Sequence, residues 1–233
     1  MIRGFYSAAA GLESRQAQLS VIANNMANTN TTGFNAQKAN FSALLYQSLN
    51  GGAGNSINVG HGSRLSDTGI AFKQGDLIRT DGDLDCAIMG QGFFAVESKK
   101  DQTTTYTRDG SFRIGNEKSK SFLVNGAGDY VLDAKEKKIE INESFNVQNV
   151  GVFTFANPSE LKLLGGNQYA ATELSGDAEN LKEPTVVAGH LENSSVQLAE
   201  EMVKMIEASK GFSLNSKIIQ TADEMEKTVN QLR

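Results

Sequence analysis

Both ends of the chain carry apolar residues at helical spacing, and this pattern limits the possible folds more than any other feature. Near the start, apolar residues recur every three or four positions, as in a coiled coil. They are Ile2, Phe5, Ala9, Leu12, Leu19, Ala23 and Met26, with Gln16 as the polar member of the seam. Residues 24–33 are rich in Asn, Thr and Gly, which compete with helical hydrogen bonds, so they predict a helix end and a turn.

The end of the chain repeats the pattern. Ser194 is followed three residues later by Gln197, which is the spacing of a capping box and predicts a helix start. The apolar stripe that follows contains Leu198, Met202, Met205, Phe212, Ile219, Ala222, Met225, Val229 and Leu232. A helix over residues 196–232 would extend roughly 55 Å at about 1.5 Å per residue, which is longer than a small globule needs.

Between the two ends the spacing changes to that of short strands. Gly, Asp and Asn separate apolar or β-branched runs, and the chain holds 23 glycines but only 2 prolines. Strands are predicted at 70–72, 77–79, 87–89, 93–96, 104–107, 122–124, 130–132, 139–141 and 152–155. A short helix is predicted over 158–164, with Asn157 as N-cap, Pro158 as its first residue and Gly165 as its stop.

These patterns predict an α+β protein. Its long N- and C-terminal helices pair as a coiled-coil-like helical part, and an all-β central domain is inserted between them. The predicted helical assembly domain comprises 1–45 and 190–233, and the predicted β-rich domain comprises 70–165. Two stretches of turn-prone composition, 46–69 and 166–189, are expected to be extended linkers.

Composition excludes several classes of function. The net charge of −5 and the absence of a basic stripe argue against a nucleic-acid partner. No apolar run is long enough for a membrane span, and the N-terminal apolar run is interrupted by Glu13 and Arg15, unlike a cleaved signal peptide. Cys86 has no partner for an intramolecular disulfide and is expected to be a small buried apolar residue.

No motif predicts a catalytic, cofactor-binding or metal-binding residue, so no cofactor is expected. Asp81, Asp83 and Asp85 begin like a calcium loop, but Cys86 and Gly92 stand where that loop needs Gly and Glu. The 90–95 run has dinucleotide-type glycine spacing but leads into a strand instead of a helix. The histidines at 61 and 190 lie in linker-like segments, and pairs of carboxylates stay open as an alternative.

The terminal stripes allow two interpretations. An apolar stripe at helical spacing is usually one wall of a core. Against that interpretation, the stripes lie at opposite ends, they are long, and the first is flanked by small residues such as Ala8, Ala10 and Ala17. Small residues let helices approach closely, and isolated helices need packing to be stable, so termini that become ordered on assembly are expected.

The chain resembles the bacterial flagellar rod and hook family of axial proteins. The matching positions at the start are 7–12, 22–34, 41 and 44–45, and those in the middle are 75–77, 84–85, 87–88, 90–94 and 106–112. Further on they are 157–158, 161, 165, 167, 169, 172 and 175–176, and at the end 191–192, 194, 196, 201–202, 205–206, 212, 215–217 and 221–223. Within them, the family motif residues are Asn24, Asn25, Asn28, Thr32, Gly33, Phe34, Asn215 and Asp223. Departures from the family pattern occur at Ser195, Gln197 and 209–211, and they affect packing details between subunits.

The resemblance implies a structural subunit and not an enzyme. Such a subunit leaves the cell through the flagellar type III export apparatus, without a cleaved signal peptide, and polymerises with itself and with neighbouring rod and hook proteins. The result is a hollow drive shaft in the basal body, across the cell envelope, which transmits torque to the hook. The assembly contacts predicted for the terminal helices are Leu12, Leu19, Met26, Met202, Met205, Phe212 and Ile219.

Alternatives stay open at this point. The length favours a rod subunit over a hook or hook-associated subunit, which usually has an additional outer domain. Residues 92–94 and 106–112 look more like a distal than a proximal rod protein, although the link after Asn50 is short for that type. A secreted enzyme or glycan-binding domain is the last alternative, and it would need a cleft with convergent polar groups.

Overall fold

Two long helices form from the terminal segments, as the apolar spacing predicts. The computed structural model describes residues 2–50, 56–99, 101–117, 120–141, 147–181 and 184–232. Helix α1 spans Ile2–Ala27 and helix α2 spans Leu198–Gln231, while the residues between them are built from strands. The predicted α+β class is confirmed. The chain divides into two compact units, which consist of Met1–Ala27, Gln37–Gly69 and Gln197–Arg233, and of Asn28–Ala36 and Ile70–Val196.

The first unit combines both helices with two pairs of strands. Its strands are β1 Gln37–Ala43, β2 Tyr46–Asn50, β3 Ser56–Gly60 and β4 Ser63–Ile70. β2 pairs with β3 in antiparallel register, from Tyr46 opposite Gly60 to Asn50 opposite Ser56, and β1 pairs with β4. The Ser14 hydroxyl on α1 donates to the Ser63 carbonyl at 2.8 Å, which holds β4 against the helix.

This strand content differs from the sequence prediction, which assigned residues 1–45 to the helical assembly domain and 46–69 to a linker. Part of that predicted linker, residues 51–55, lies outside the described residues. Polar and apolar residues alternate from 38 to 43 along β1, a period-two pattern that the sequence prediction did not use. All seven positions of β1 are exposed or half-buried, and two of its three apolar residues are alanine, so the pattern is weak.

The second unit holds the remaining strands. They are β5 Leu77–Arg79, β6 Cys86–Met89, β7 Phe93–Glu97, β8 Thr104–Thr107, β9 Arg113–Glu117, β10 Lys120–Val124, β11 Tyr130–Val131, β12 Val152–Thr154, β13 Lys162–Gly165, β14 Gln168–Ala170, β15 Glu179–Asn180, β16 Thr185–Ala188 and β17 His190–Glu192. The main sheet has the order β13-β14-β8-β7-β11-β10-β9, and β12 joins it beside β7 and β15. β6 pairs with β16, and β5 pairs with β17.

The core of the second unit is organised by β7. Phe94 and Val96 enter one buried cluster, while Phe93 and Ala95 enter a second cluster on the opposite face. Successive side chains of a strand point to opposite faces, so an uninterrupted apolar run is what a strand buried on both faces requires. The first cluster also contains Leu123, Val131 and Val152, and the second contains Tyr106, Phe153, Phe155 and Tyr169.

The helix predicted over 158–164 is wrong. A 3-10 turn covers Pro158–Glu160, and the chain then enters strand β13, which pairs with β14. The Asn157 amide donates to the Leu174 carbonyl at 3.3 Å and makes no cap hydrogen bond. Gly165 has a φ of 94° and Asn167 a φ of 57°, so the glycine interpreted as a helix stop forms a hairpin turn.

Three further expectations differ from the structure. The segment 166–189, expected to be a linker, contains β14, β15 and β16, and residues 139–141 contribute only isolated bridges instead of a strand. Helix α2 begins after Gln197, and Gln197 makes no side-chain cap hydrogen bond. Ser194 therefore caps nothing, because its hydroxyl accepts from the Val196 backbone N–H at 3.3 Å.

Candidate assembly site

Helices α1 and α2 pack against each other in antiparallel register through small residues. A Cβ atom added to Gly11 would lie 2.6 Å from Asn215 Nδ2, and one added to Gly211 would lie 3.0 Å from Arg15 Nε. Four residues forward along α1, from Gly11 to Arg15, thus correspond to four residues back along α2, from Asn215 to Gly211. Ala208 is fully buried in the same seam. Because Gly11 and Gly211 have no side chain, the side chains of Asn215 and Arg15 from the facing helix occupy the space beside them.

A buried polar cluster closes the other end of the seam. The Asn25 Oδ1 accepts from the Gln37 backbone N–H at 2.9 Å, and the Asn25 Nδ2 donates to the Gln37 carbonyl at 2.8 Å. The same Nδ2 donates to Glu201 Oε2 at 3.2 Å, and Glu201 Oε1 accepts from Lys204 at 2.7 Å. Asn25 and Glu201 are both almost fully buried. This one amide therefore connects α1, the start of β1 and α2.

Replacing Asn25 with alanine is expected to lower the free energy of unfolding of the first unit by about 1–3 kcal/mol, the usual cost of leaving buried polar partners unsatisfied. Chemical denaturation followed by circular dichroism at the helix band measures this loss. Asn40→Ala is the matched control, because the Asn40 amide bonds to Asp67 on an exposed surface. Equal stability of the two variants would mean that the buried cluster does not hold the helices.

The predicted assembly residues divide into two groups. Leu12, Leu19, Met26 and Ile219 are half-buried, whereas Met202, Met205 and Phe212 are exposed by 43%, 39% and 36%. On α1 and α2 the fully buried positions are different ones, namely Ala8, Ser14, Ile22, Asn25, Glu201 and Ala208. The residues predicted for the seam are large and apolar, whereas most of the buried helix positions carry small or polar residues. Ala208, Gly211, Asn215 and Ala222, at intervals of three, four and seven, were the available signal.

The Asn- and Thr-rich motif after α1 forms a turn that is anchored within the second unit. The Thr31 hydroxyl donates to Asn28 Oδ1 at 3.1 Å, and the Thr32 hydroxyl donates to Asp109 Oδ1 at 3.0 Å. Gly33 has a φ of 65°, and its N–H donates to the Glu192 carbonyl at 2.8 Å. Phe34 is buried. The structure thus gives Thr32, Gly33 and Phe34 local folding roles.

The other motif residues lie on the helices. Asn24 is on the exposed side of α1, next to the buried Asn25. Asn215 faces Gly11 in the helix seam. Asp223 is exposed on α2 and forms an ion pair with Lys227 at 2.7 Å. This ion pair raises the pKa of Lys227, first through its hydrogen bond to Asp223 and then through the charge of that carboxylate.

A buried ion pair anchors the second unit, and no sequence pattern assigned it a role. Arg108 Nη1 donates to both carboxylate oxygens of Glu192, at 2.8 and 2.9 Å. The remaining guanidinium nitrogens donate to backbone carbonyls, Nε to Gly92 at 3.0 Å and Nη2 to Gly90 at 2.6 Å. Glu192 also accepts from the Gly75 backbone N–H at 2.9 Å. The Gly-rich run at 90–92 therefore supplies acceptors for an internal arginine.

The residues considered for catalysis or metal binding do not form a common site, and each contacts other parts of the chain. The Thr80 hydroxyl donates to Asp85 at 2.6 Å, as in a turn, while Asp81 and Asp83 are exposed. His61 Nδ1 lies 2.9 Å from the Leu45 carbonyl oxygen, and His190 Nδ1 lies 2.8 Å from the Ala188 carbonyl oxygen. Within the described ranges, no group of three or more His, Cys, Asp or Glu side chains could hold a metal ion. Neither described helix is long and apolar enough to cross a membrane.

Cys86 is expected to be unreactive in the folded chain. Burial, followed by the neighbouring Asp85 charge, raises the pKa of its thiol to about 12, and only the thiolate is a nucleophile. We expect no reaction with a colourimetric disulfide reagent at pH 8 in buffer and complete reaction in denaturant. A Gln220→Cys variant, whose thiol would be exposed on α2, is the positive control. Labelling of Cys86 as fast in buffer as in denaturant would contradict its burial.

The geometry defines a class of protein in which paired terminal helices bracket an inserted β-rich unit. Family models match three parts of the chain. They are described as flagella basal body rod protein over 5–35, flagellar hook protein FlgE/F/G D1 domain over 87–154, and flagellar basal body rod FlgEFG protein C-terminal over 187–232.

Similar proteins extend over the whole chain. The flagellar basal-body rod protein FlgG of Borreliella burgdorferi is 33% identical over 100% of this chain and 99% of its own length. FlgG of Agrobacterium fabrum is 34% identical over 99% of both chains, and FlgG of Bacillus subtilis is 33% identical over 97% of both. The chain therefore belongs to the flagellar basal-body rod protein family. It is a structural subunit of the rod in the flagellar basal body.

Proposed function

We propose that the chain polymerises with itself into the hollow rod that transmits torque to the hook, and that its terminal helices form the contacts. One observation carries the proposal: α2 leaves a row of large apolar side chains exposed after pairing with α1, including Met202, Met205 and Phe212. A row of exposed large apolar side chains usually marks an interaction site. Family membership supports association with other rod and hook components as well.

The same surface supports export in an unfolded state. On α2 the buried side chains are those of Glu201 and Ala208, one charged and one small, whereas Met202, Met205 and Phe212 are exposed. Helices held by little buried apolar surface unfold at low cost, because their stability comes from packing. We therefore propose that the flagellar type III export apparatus is a partner, and that the terminal helices reach full stability in the polymer.

The proposed role is structural and not enzymatic, and the distal type of rod subunit is preferred. The similar proteins FlgG carry the name of rod proteins, which supports the structural role. The match covers 97% or more of the length of each of those relatives. The sequence stretches that favour the distal type, 92–94 and 106–112, lie around the buried Arg108.

Leu19→Asp and Ile219→Asp are each expected to abolish assembly, since both side chains are half-buried at the helix pair and an unpaired buried charge costs several kcal/mol. The readout is swimming in soft agar, with basal bodies imaged by electron microscopy, for cells that carry each variant as their only copy. Circular dichroism on the purified chains checks that the strands of the second unit still fold. The matched control is Ser20→Asp, at an exposed position of α1 outside the predicted seam. Normal rods in cells with either seam variant would refute the predicted contacts.

A further inference from the structure

Helix α2 carries two separate apolar stripes instead of one. The early stripe, defined by Leu198, Met202, Met205 and Phe212, lies in its first half with Ser209 between the last two. The late stripe, defined by Leu214, Ile218, Met225 and the C-cap residue Leu232, lies in its second half with Thr221 and Thr228 at the matching intervals. Both follow the alternating spacing of four and three residues by which helices pack in coiled coils. All eight apolar members of the two stripes are exposed.

The two stripes lie on opposite sides of the line along which α2 contacts α1. That line runs through Glu201, Ala208 and Asn215. With 3.6 residues per turn, the early stripe lies about 70° to one side of it and the late stripe about 70° to the other. Helix α1 therefore cannot cover either stripe, and one neighbouring helix cannot cover both.

Charge distribution supports a pairing of unlike stripes. Neither stripe contains a charged residue. On the side of the early stripe, the second half of α2 carries Asp223 and Glu226, while on the side of the late stripe, the first half carries Glu200, Lys204 and Glu207. Two parallel copies that face each other through the early stripe at the same height would place Asp223 and Glu226 beside the same residues of the neighbour, which is unfavourable. Pairing the early stripe with the late stripe avoids this repulsion, and in parallel helices it requires a shift along the helix axis.

The length of that shift follows from the sequence positions. The early stripe is centred near residue 205 and the late stripe near residue 223. At about 1.5 Å per residue, parallel α2 helices must be offset by roughly 27 Å to bring the two stripes together. A contact between two different surfaces combined with an axial offset does not close into a ring and generates an open helical polymer.

We propose that the early stripe of one copy packs against the late stripe of the next copy, with the two α2 helices parallel and offset by roughly 27 Å. This inference rests on the proposed homopolymer and specifies its contact. Each copy then uses both sides of the α1–α2 pair, one for each neighbour.

Two variants of the full chain test the contact. Met205→Asp removes the early stripe and leaves the late one, and Met225→Asp does the opposite. Each variant alone is expected to sediment as a monomer in analytical ultracentrifugation, whereas an equal mixture forms a one-to-one dimer through the two intact stripes. Wild-type chain is expected to form large polymers under the same conditions. Gln220→Asp, at an exposed position outside both stripes, is expected to polymerise like wild type.

The outcomes separate this inference from the proposed function. Dimerisation of Met205→Asp alone, or a mixture that stays monomeric while wild type polymerises, would overturn the pairing of unlike stripes. Variants that polymerise like wild type would also overturn it and leave the homopolymer intact. A wild-type chain that remains monomeric at all concentrations would instead refute the homopolymer and, with it, the inference.

A cross-linking measurement covers the case in which an Asp variant does not fold. Met205→Cys and Met225→Cys keep neutral side chains, and Cys86 is buried and does not react. A short bis-maleimide is expected to link the two cysteine variants only when they are mixed. Cross-linked dimers of either variant by itself, and none in the mixture, would show like-with-like contacts and overturn the proposal.

Discussion

Replacing Arg108 with methionine is expected to destabilise the second unit by about 3–5 kcal/mol, the cost of removing one partner from a buried ion pair. The change leaves the Glu192 carboxylate charged and buried, with the Gly75 N–H as a remaining donor. It also leaves the carbonyls of Gly90 and Gly92 without their guanidinium donor. Urea unfolding followed by tyrosine fluorescence measures the effect, since the chain has 5 tyrosines and no tryptophan.

Lys120→Met is the matched control. Lys120 forms an ion pair with Glu140 at 2.6 Å, but both side chains are largely exposed, so the expected loss is about 0–1 kcal/mol. A second comparison uses Arg108→Met combined with Glu192→Leu, which removes the stranded charge and is expected to be more stable than Arg108→Met alone. If Arg108→Met cost no more than Lys120→Met, the buried pair would not be an anchor of this unit.

Gly33→Ala is expected to have the second large effect. The residue has a φ of 65°, and a non-glycine residue in a sparsely populated backbone region costs about 1–3 kcal/mol. In addition, a Cβ atom would lie 2.6 Å from the backbone carbon of Arg108 and from the Asp109 nitrogen. Backbone atoms cannot move away as a flexible side chain can, so the turn itself must shift. The melting temperature of the purified chain is expected to fall accordingly.

Gly128→Ala separates the two causes. Gly128 also has a positive φ, of 90°, but no atom lies within 4 Å of its added Cβ. This variant therefore suffers the conformational cost without the steric one and is expected to lose less stability than Gly33→Ala. Equal losses in the two variants would show that the close approach of Gly33 to the Arg108 backbone is tolerated.

The fold was predictable where one local pattern coincided with a buried face. The two terminal helices were found from apolar spacing, because a helix that packs on one side must repeat apolar residues every three or four positions. Strand β7 was found from its uninterrupted run of apolar residues, both of whose faces are buried. Strands β1 to β4 were missed, because their apolar positions are few, small or largely exposed and because the segment has a linker-like composition rich in Gly, Asn and Ser.

The candidate site was predictable only in part. The sequence identified the helices that pair and the Asn- and Thr-rich turn, but it selected seam residues by their size. Gly11 and Gly211, which have no side chain to form an apolar pattern, also lie in the seam, where they face Asn215 and Arg15. The assembly roles of Leu12, Leu19, Met26, Met202, Met205, Phe212 and Ile219 stay a prediction. For Met202, Met205 and Phe212 the exposure on α2 is what such a role requires.

By itself the sequence determined the secondary-structure plan of the chain ends, the α+β class and the family, since each depends on residue spacing or motif order along the chain. Only the tertiary structure decided which residues meet. Arg108 and Glu192 are far apart in sequence, and their ion pair exists because separate strands bring them together in a buried site. The early and late stripes of α2 could be told apart only from the structure, because each lies on one side of the line along which α2 contacts α1.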